Sequence, residues 1–268
     1  MKKEIVLFAA VALTVGMAAS CKKSERIAPK DEDVLPGVFS VSDTKKVQFS
    51  KGNLICDISG NVPVWAFGEH QYDCAENGAA SASRISLFTW GYGPKSVEPY
   101  TCFYGNSFKD WGAAYCESNG IADGTWRTLT MDEWMYLFSF GNFHNDKRDK
   151  LFELGVTVRG VENCAILYPD GYDGVRVSRN NRKTLYNDNA AWKSAQEAGA
   201  VCLPAAGYRN ESVVSEAGDG GHYWSSDAGG NDDAYRLLFV SDGGVQPDYF
   251  GVGNRGVGRS VRLVTEAK

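Results

Sequence analysis

Apolar and polar positions alternate from Val38 to Leu54, with Phe39 and Val41 on one side of Asp43-Thr44 and Val47 and Phe49 on the other. Residues two apart share one face of a strand, so this stretch predicts a half-buried strand pair or hairpin. The period then lengthens. Between Ser107 and Glu117, Trp111, Ala114 and Tyr115, with Ser118 beyond, recur at helical spacing, and Gly120 follows as a stop. Thr130-Met131-Asp132-Glu133 reads as a capping box, in which the threonine hydroxyl and the glutamate three residues on satisfy free amides at a helix start. Trp134, Leu137 and Phe138 form the face of that helix, and Gly141 is its expected end. A third helix is predicted from Asp188 to Ala198, with Trp192 and Ala195 inward and Gly199 past its end. Strands are expected near Val201–Leu203, His222–Ser225, Tyr235–Val240, Gln246–Phe250 and Ser260–Val264, between Gly/Asp turns such as Gly218-Asp219-Gly220-Gly221. Helices in the middle and hairpins at the end describe an α+β domain.

The N-terminus breaks this pattern. Met1-Lys2-Lys3-Glu4 precedes an uncharged run of 15 residues, Ile5 to Ala19, which reads as a signal peptide over residues 1–20. The run is shorter than the roughly 18 residues a membrane-spanning helix needs. Ala18-Ala19-Ser20 before Cys21 resembles a relaxed lipobox, although Ala18 stands where a large aliphatic residue is usual. An ordinary export signal cut near Ala19 would use the same small residues, but a cysteine directly after them favours lipidation of Cys21 and a membrane partner held through acyl chains. Residues 21–36 are rich in charge and lack aromatics, as in a lipidated flexible tether, and residues 37–268 are expected to form a single domain. The expected location is the outer membrane, at the cell surface or on the periplasmic face. Lys22-Lys23-Ser24-Glu25 lacks the acidic cluster that resembles a surface-export tag.

Charge narrows the partners. The chain carries a net charge of −5 with dispersed Lys and Arg, so no basic stripe is available to neutralise a phosphate backbone, and nucleic acid is not an expected partner. Beyond Cys21 there remain Cys56, Cys74, Cys102, Cys116, Cys164 and Cys202. In an exported protein these suit disulfides, but no CxxC spacing selects a pairing, and Cys164 and Cys202 lie in apolar strand-like stretches where free core thiols are the competing reading.

Five segments occur in an order that is similar to a known family. They are Ala113-Ala114-Tyr115-Cys116, Gly124 to Trp134 (GTWRTLTMDEW), Leu203 to Arg209 (LPAAGYR), Tyr223-Trp224-Ser225-Ser226, and Ser260-Val261-Arg262-Leu263-Val264. Together they resemble the FISUMP or major paralogous domain, itself similar to the formylglycine-generating, sulfatase-modifying domain. The resemblance spans Phe39 to Val264 and implies a C-type-lectin-like fold with short helices and a loop-rich antiparallel sheet. It does not carry over catalysis, because sulfatase modification uses a pair of reactive cysteines late in the domain and no cysteine follows Cys202. Trp126, Trp134 and Trp224 within these segments are expected in the core.

Candidate chemistry is sparse. The histidines are His70, His144 and His222, with no HExxH and no GxSxG, so neither a zinc-hydrolase nor a serine-hydrolase signature is present. Gln246-Pro247-Asp248 looks like a lectin calcium triplet, but the tryptophan that should follow it is missing. Asp227, Asn231, Asp232 and Asp233 crowd hard oxygen donors into seven residues. They suit either a calcium site or a solvated acidic turn; calcium aside, no cofactor is expected. Aromatic and Gly-rich loops containing Trp90, Tyr92, Tyr104, Tyr249, Phe250 and Arg255 are the candidate ligand surface, since flat aromatics stack on sugars and also serve protein interfaces. The resulting expectation is a lipid-anchored, non-catalytic envelope module for binding or adhesion that recognises a glycan or protein. The alternatives are an accessory subunit of a surface appendage or envelope complex, and a cryptic enzyme on the formylglycine-generating-like fold.

Overall fold

The first hairpin forms where alternation places it: β1 (Phe39–Ser40) pairs antiparallel with β2 (Lys46–Phe49), with Phe39 opposite Val47. The computed structural model describes residues 28–76, 78–91, 108–140, 148, 151–240 and 250–267. Next come β3 (Leu54–Asp57), β4 (Val64–Phe67), β5 (Arg84–Ile85), α1 (Trp111–Asn119), β6 (Arg127–Thr128) and α2 (Met131–Leu137). A long hairpin of β7 (Phe152–Val158) and β8 (Val161–Leu167) leads to α3 (Asn189–Glu197) and β9 (Val201–Leu203). The chain finishes with β10 (Tyr208–Asn210), β11 (Val213–Ser215), β12 (Gly220–Ala228), β13 (Asp233–Val240), β14 (Phe250–Asn254) and β15 (Leu263–Glu266). Short helices inserted among small antiparallel sheets make this an α+β structure.

The last strand closes the first sheet. β15 lies between β2 and β6, pairing Val264 with Phe49 and Leu263 with Thr128, so the start and end of the described chain share one four-stranded sheet. The orders of the other sheets are β4-β3-β5, β7-β8-β9, β12-β13-β14 and β10-β11. β14 is described from Phe250 to Asn254, and residues 246–249 of the strand expected at Gln246–Phe250 lie outside the described residues. Of the Ser260–Val264 stretch, only Leu263 onward enters a sheet, while Ser260 makes an isolated parallel bridge with Tyr223.

All three described helices end in the same way. In α1, Gly120 adopts φ 67° and Ile121 N–H donates to the Cys116 carbonyl. In α3, Gly199 adopts φ 93° and Ala200 N–H donates to the Ala195 carbonyl. These are Schellman turns, in which a left-handed residue lets the chain cap its own last carbonyls. Helix α2 stops before the expected Gly141. Ser139 takes φ 51°, with Ser139 N–H on the Tyr136 carbonyl and Phe140 N–H on that of Met135. At its start the capping box is complete, and Arg127 grips the Glu133 carboxylate with two bonds of 2.6 and 2.8 Å. Helix α1 begins on Asp110, whose carboxylate accepts from Gly112 N–H and from the Thr128 amide and hydroxyl. Burial raises the pKa of Asp110 despite these bonds. The helix presses on the following loop so tightly that a β-carbon on Gly112 would lie 2.0 Å from the Trp126 carbonyl oxygen.

Tryptophan organises the core. All seven are buried, and five of them (Trp65, Trp90, Trp111, Trp126 and Trp224) lie in one cluster with Phe67, Phe88 and Tyr115. A second cluster packs Trp134 and Phe138 on Phe39, Phe49 and Tyr223, and a third sets Trp192 against Tyr186 and the β7–β8–β9 sheet. Behind the sheets runs a buried polar network. Arg262 has no exposed surface and donates to Gln71 Oε1 (2.9 Å) and Asn53 Oδ1 (3.4 Å). Asn53 in turn donates to the Tyr223 hydroxyl, which donates to the Pro204 carbonyl. Residues from three of the motif segments thus meet in one network. Burial pulls the Arg262 guanidinium down to about 10, so it stays protonated at neutral pH.

Candidate functional site

A cleft of about 610 Å³ opens where the β7–β8 hairpin, the segment 72–74 and the turn 217–219 approach one another. The hairpin builds one wall. Val158 pairs with Val161, leaving Arg159 and Gly160 as a two-residue loop with φ 51° and 86°, the left-handed pair that matches the twist of a hairpin. Arginine is costly at such a position, and Asn187 holds it there. Its carbonyl accepts from Arg159 Nη1 (2.9 Å) and its side-chain oxygen accepts from Gly160 N–H (2.7 Å). One step further, the register shifts: Val156 pairs with Cys164, so Glu162 and Asn163 together oppose the single residue Thr157. This bulge puts Asn163 at φ 57° and re-aims its amide towards the opposite turn. Asn163 Nδ2 donates to the Gly218 carbonyl (2.6 Å), and Lys183 Nζ donates to Asn163 Oδ1 (3.2 Å).

The second wall is the turn that joins β11 to β12. Glu216 and Gly218 both have positive φ, and the amides of Asp219 and Gly220 close back on the Glu216 carbonyl. Gly218 N–H is fixed to Ala205, just after Pro204. Beneath the turn, His222 Nε2–H donates to Glu216 Oε2 at 2.8 Å, while its Nδ1 is buried without a partner. Burial outweighs the carboxylate and pulls His222 down to about 4, so it is neutral at pH 7.

The third side comes from residues 70–74. Tyr72 stacks on His70 with ring centroids 5.1 Å apart, and Asp73 Oδ2 accepts from His70 N–H. Cys74 lies at the cleft with its thiol near the Tyr72 carbonyl (3.9 Å). Burial first, then Cys164 and Asp73, push the Cys74 thiol up to about 12, which keeps it protonated and a poor nucleophile at neutral pH. The rim therefore offers a phenol, the carboxyl groups of Asp73, Glu162 and Asp219, the Arg159 guanidinium and the Asn163 amide. Such a set can hydrogen-bond hydroxyl pairs; the cleft brings no activated thiol or imidazole to a reacting atom.

The residues expected to form a ligand surface fall elsewhere. Trp90 and Arg255 are a correction: both are only 1% exposed, so neither is a stacking platform. Trp90 gives its indole N–H to the Ser225 carbonyl (2.9 Å), and Phe108 packs 4.8 Å from its ring. Arg255 donates to the carbonyls of Asp233 and Gly230. Of Phe250 the backbone is described, paired with Leu237. Tyr92, Tyr104, Tyr249 and Cys21 lie outside the described residues.

The acidic segment is the β12–β13 turn. Asp227 Oδ2 accepts from Met131 N–H at 2.6 Å, adding a second carboxylate to the start of α2. The Asp232 carbonyl receives Arg255 N–H. Among the described residues, no three His, Cys, Asp or Glu side chains converge as a metal-holding group. Asn231 and Asp232 are exposed, and the carbonyls of Gly230 and Asp233 face a guanidinium.

Sequence reading missed Tyr72, Asp73, Arg159, Glu162, Asn163 and Asp219. The available signals were the Arg159-Gly160 dipeptide inside a long apolar stretch and the glycine-rich turn at Gly218-Asp219-Gly220-Gly221, which identify two turns but not their meeting. No protein-family model, no curated protein and no solved structure matches this chain, so the geometry of the cleft alone carries a functional reading.

Proposed function

We propose that this chain is a lipid-anchored envelope protein whose FISUMP-type, C-type-lectin-like domain binds a glycan in the cleft between Tyr72, Asn163 and Asp219 without transforming it. The observation that carries the reading is the cleft itself: backbone held in left-handed conformations at Arg159, Asn163 and Gly218 presents carboxyl, amide and phenol groups around about 610 Å³. Backbone strain of this kind persists where surrounding bonds over-determine it, and it concentrates at ligand sites. Carboxylates and amides match the paired hydroxyls of a sugar, and a half-buried tyrosine supplies apolar surface for its ring. Lipidation at Cys21 would hold the domain at the outer membrane, on its periplasmic or outer face; the stretch expected as a tether reaches less far than Pro36, because Asp33 and Leu35 pack into the domain.

Glycan-array binding with the full mature chain tests this. Glu162 and Asp219 are exposed at the rim, so the double substitution Glu162→Ala/Asp219→Ala leaves the core intact. At least tenfold weaker binding to the glycans retained by the unsubstituted protein, with an unchanged melting temperature, is the expected result. An array with no retained glycan would sink the proposal.

An accessory-subunit role has one observation in its favour. Val64, the first residue of the edge strand β4, is 58% exposed and Val62, in the turn before it, is 72% exposed, beside a groove shared with Ala114 and Glu117 of α1. An apolar edge of this kind is a surface that another protein covers. Cross-linking from position 64 in intact cells would reveal a protein neighbour if this role is correct.

A further inference from the structure

We propose that the glycan is acidic and that its carboxylates dock on Arg159, Arg179, Arg182 and Lys183 beside the cleft; this rests on the glycan reading and names the class of ligand. Basic residues are dispersed over the chain as a whole, in which acids outnumber them 33 to 28. Residues 174–187 are the exception, carrying Arg176, Arg179, Arg182 and Lys183 and no carboxylate. The segment is pinned by its own bonds. Val177 N–H donates to the Tyr168 hydroxyl (2.9 Å), the Tyr186 hydroxyl donates to the Val175 carbonyl (2.6 Å), and Ser178 N–H donates to Asn181 Oδ1 (2.7 Å). It then runs alongside β7, where Thr157 N–H donates to the Arg182 carbonyl (2.8 Å) and Arg159 N–H to the Tyr186 carbonyl (3.2 Å). These bonds bring the segment to the hairpin that walls the cleft. Arg159 lines the cleft itself, and Lys183 reaches its rim through the 3.2 Å bond to Asn163 Oδ1.

Their lack of carboxylate partners sets these cations apart. Lys51, Arg127, Arg148 and Arg209 each face an acid in a salt bridge, whereas Arg159, Arg179, Arg182 and Lys183 have none among the described residues. Arg159, Arg179 and Lys183 are exposed, and Arg182 is half-buried with its Nε–H buried and without a hydrogen-bond partner. Glu153 of β7 feels Arg182 and Arg179, yet burial raises its pKa against their pull. Cations held on one fixed surface repel one another, and a carboxylate-bearing chain relieves that repulsion. Guanidinium groups also match carboxylates with two parallel N–H···O bonds. The charges around the cleft divide the ligand. Asp73, Glu162 and Asp219 suit neutral hydroxyl pairs and repel carboxylates, so the acidic groups fall beyond Arg159, on residues 179–183. Membrane headgroups would meet the same cations, but the continuity with the cleft through Arg159 and Asn163 favours a glycan that leaves the cleft and crosses this segment.

The test is titration calorimetry of the full mature chain carrying Cys21→Ser, so that no acyl chain contributes, against oligogalacturonate, its neutral methyl ester and phosphatidylglycerol vesicles. The free acid is expected to bind at least tenfold more tightly than the ester, and raising sodium chloride from about 0.05 to about 0.5 M should close most of that gap. Arg179→Ala/Lys183→Ala removes two exposed cations and should lower affinity for the acid at least tenfold with an unchanged melting temperature. Lys45→Ala/Lys109→Ala removes the same charge from exposed positions elsewhere and should leave it within twofold. Equal affinity for acid and ester would overturn the proposal, as would no binding of the acid, an equal loss in the Lys45/Lys109 variant, or vesicles binding more tightly than the acid through Arg179 and Lys183. The two readings fail differently. Equal binding of acid and ester that is lost in Glu162→Ala/Asp219→Ala retains the glycan cleft and removes the acidic ligand. Binding of the acid that needs Arg179 and Lys183 but not Glu162 and Asp219 retains the acidic ligand and removes the cleft.

Discussion

Arg255 lies over the ring of Trp90, its guanidinium carbon 4.4 Å from the ring centroid, while Trp90 N–H donates to the Arg255 carbonyl at 2.8 Å. The pair clips the segment after β14 onto the core and also holds the β12–β13 turn through the Gly230 and Asp233 carbonyls. Trp90→Ala would leave a large cavity and an unstacked guanidinium, and a loss of about 3–5 kcal/mol is expected. Arg255→Lys keeps the charge but loses the planar fork, with an expected cost of about 1–3 kcal/mol. Denaturant unfolding monitored by tryptophan fluorescence measures both. A Trp90→Ala protein as stable as the parent would return Trp90 to the role of an exposed ligand contact.

Calcium is expected to leave the protein unchanged. The same guanidinium occupies the carbonyls that a cation in the β12–β13 turn would need, and Asp227 is committed to the Met131 amide. Melting temperatures in millimolar calcium and in chelator should therefore coincide, because a ligand that binds only the folded state would raise the value. Asp227→Ala should cost about 1 kcal/mol in either solution, the usual effect of removing a helix-start acceptor. A calcium-dependent rise that disappears in Asp227→Ala would contradict this assignment.

These two regions mark how far the sequence was legible. The start of α2 was readable because Thr130 and Glu133 are three residues apart and cap each other within one turn. Its end was not, since Ser139 rather than a glycine adopts the left-handed angle after Leu137, an outcome that packing around Phe138 and Phe140 imposes and local propensity does not favour. Trp126, Trp134 and Trp224 were identifiable as core because they sit in or beside periodic elements. Trp90 sits in a glycine-flanked loop, and its burial comes from Ser225 and Arg255, which no local pattern connects to it. The cleft was hidden for the same reason. Tyr72, Asn163 and Asp219 meet only through a bulge and two turns whose geometry depends on distant partners such as Asn187 and Ala205.

The buried imidazole of His222 makes stability depend on pH. Desolvation is the main cause of its depressed pKa; the nearby Arg236 and Arg259 push the same way and Glu216 opposes them. In the unfolded chain the group titrates near 6.5, whereas in the folded protein it does so at about 4. The unfolded state therefore binds the proton first as pH falls. The contribution is fully present above about pH 6.5, declines between there and about pH 4, and is constant below, amounting to up to about 3 kcal/mol. Comparing urea unfolding of the parent and of His222→Gln across this range should show the free-energy gap narrowing on acidification. A gap that stays constant would mean that His222 titrates alike in both states.

The proposed lipidation of Cys21 would decide where all of this operates. Among the described residues no helix is long and apolar enough to cross a membrane; the proposed attachment at this end of the chain is through acyl chains at one sulfur. A single saturated chain gives only reversible binding, whereas several bury enough methylene groups to be effectively permanent. Cys21→Ser should therefore move the protein from the membrane pellet to the soluble fraction of the envelope and abolish incorporation of labelled palmitate. If an ordinary export signal is cut near Ala19 instead, the parent protein itself will be soluble and Cys21 will react with a thiol reagent. Protease treatment of intact cells then distinguishes the two faces of the outer membrane: digestion of the anchored domain places the cleft outside, where foreign glycans are met, and protection places it in the periplasm.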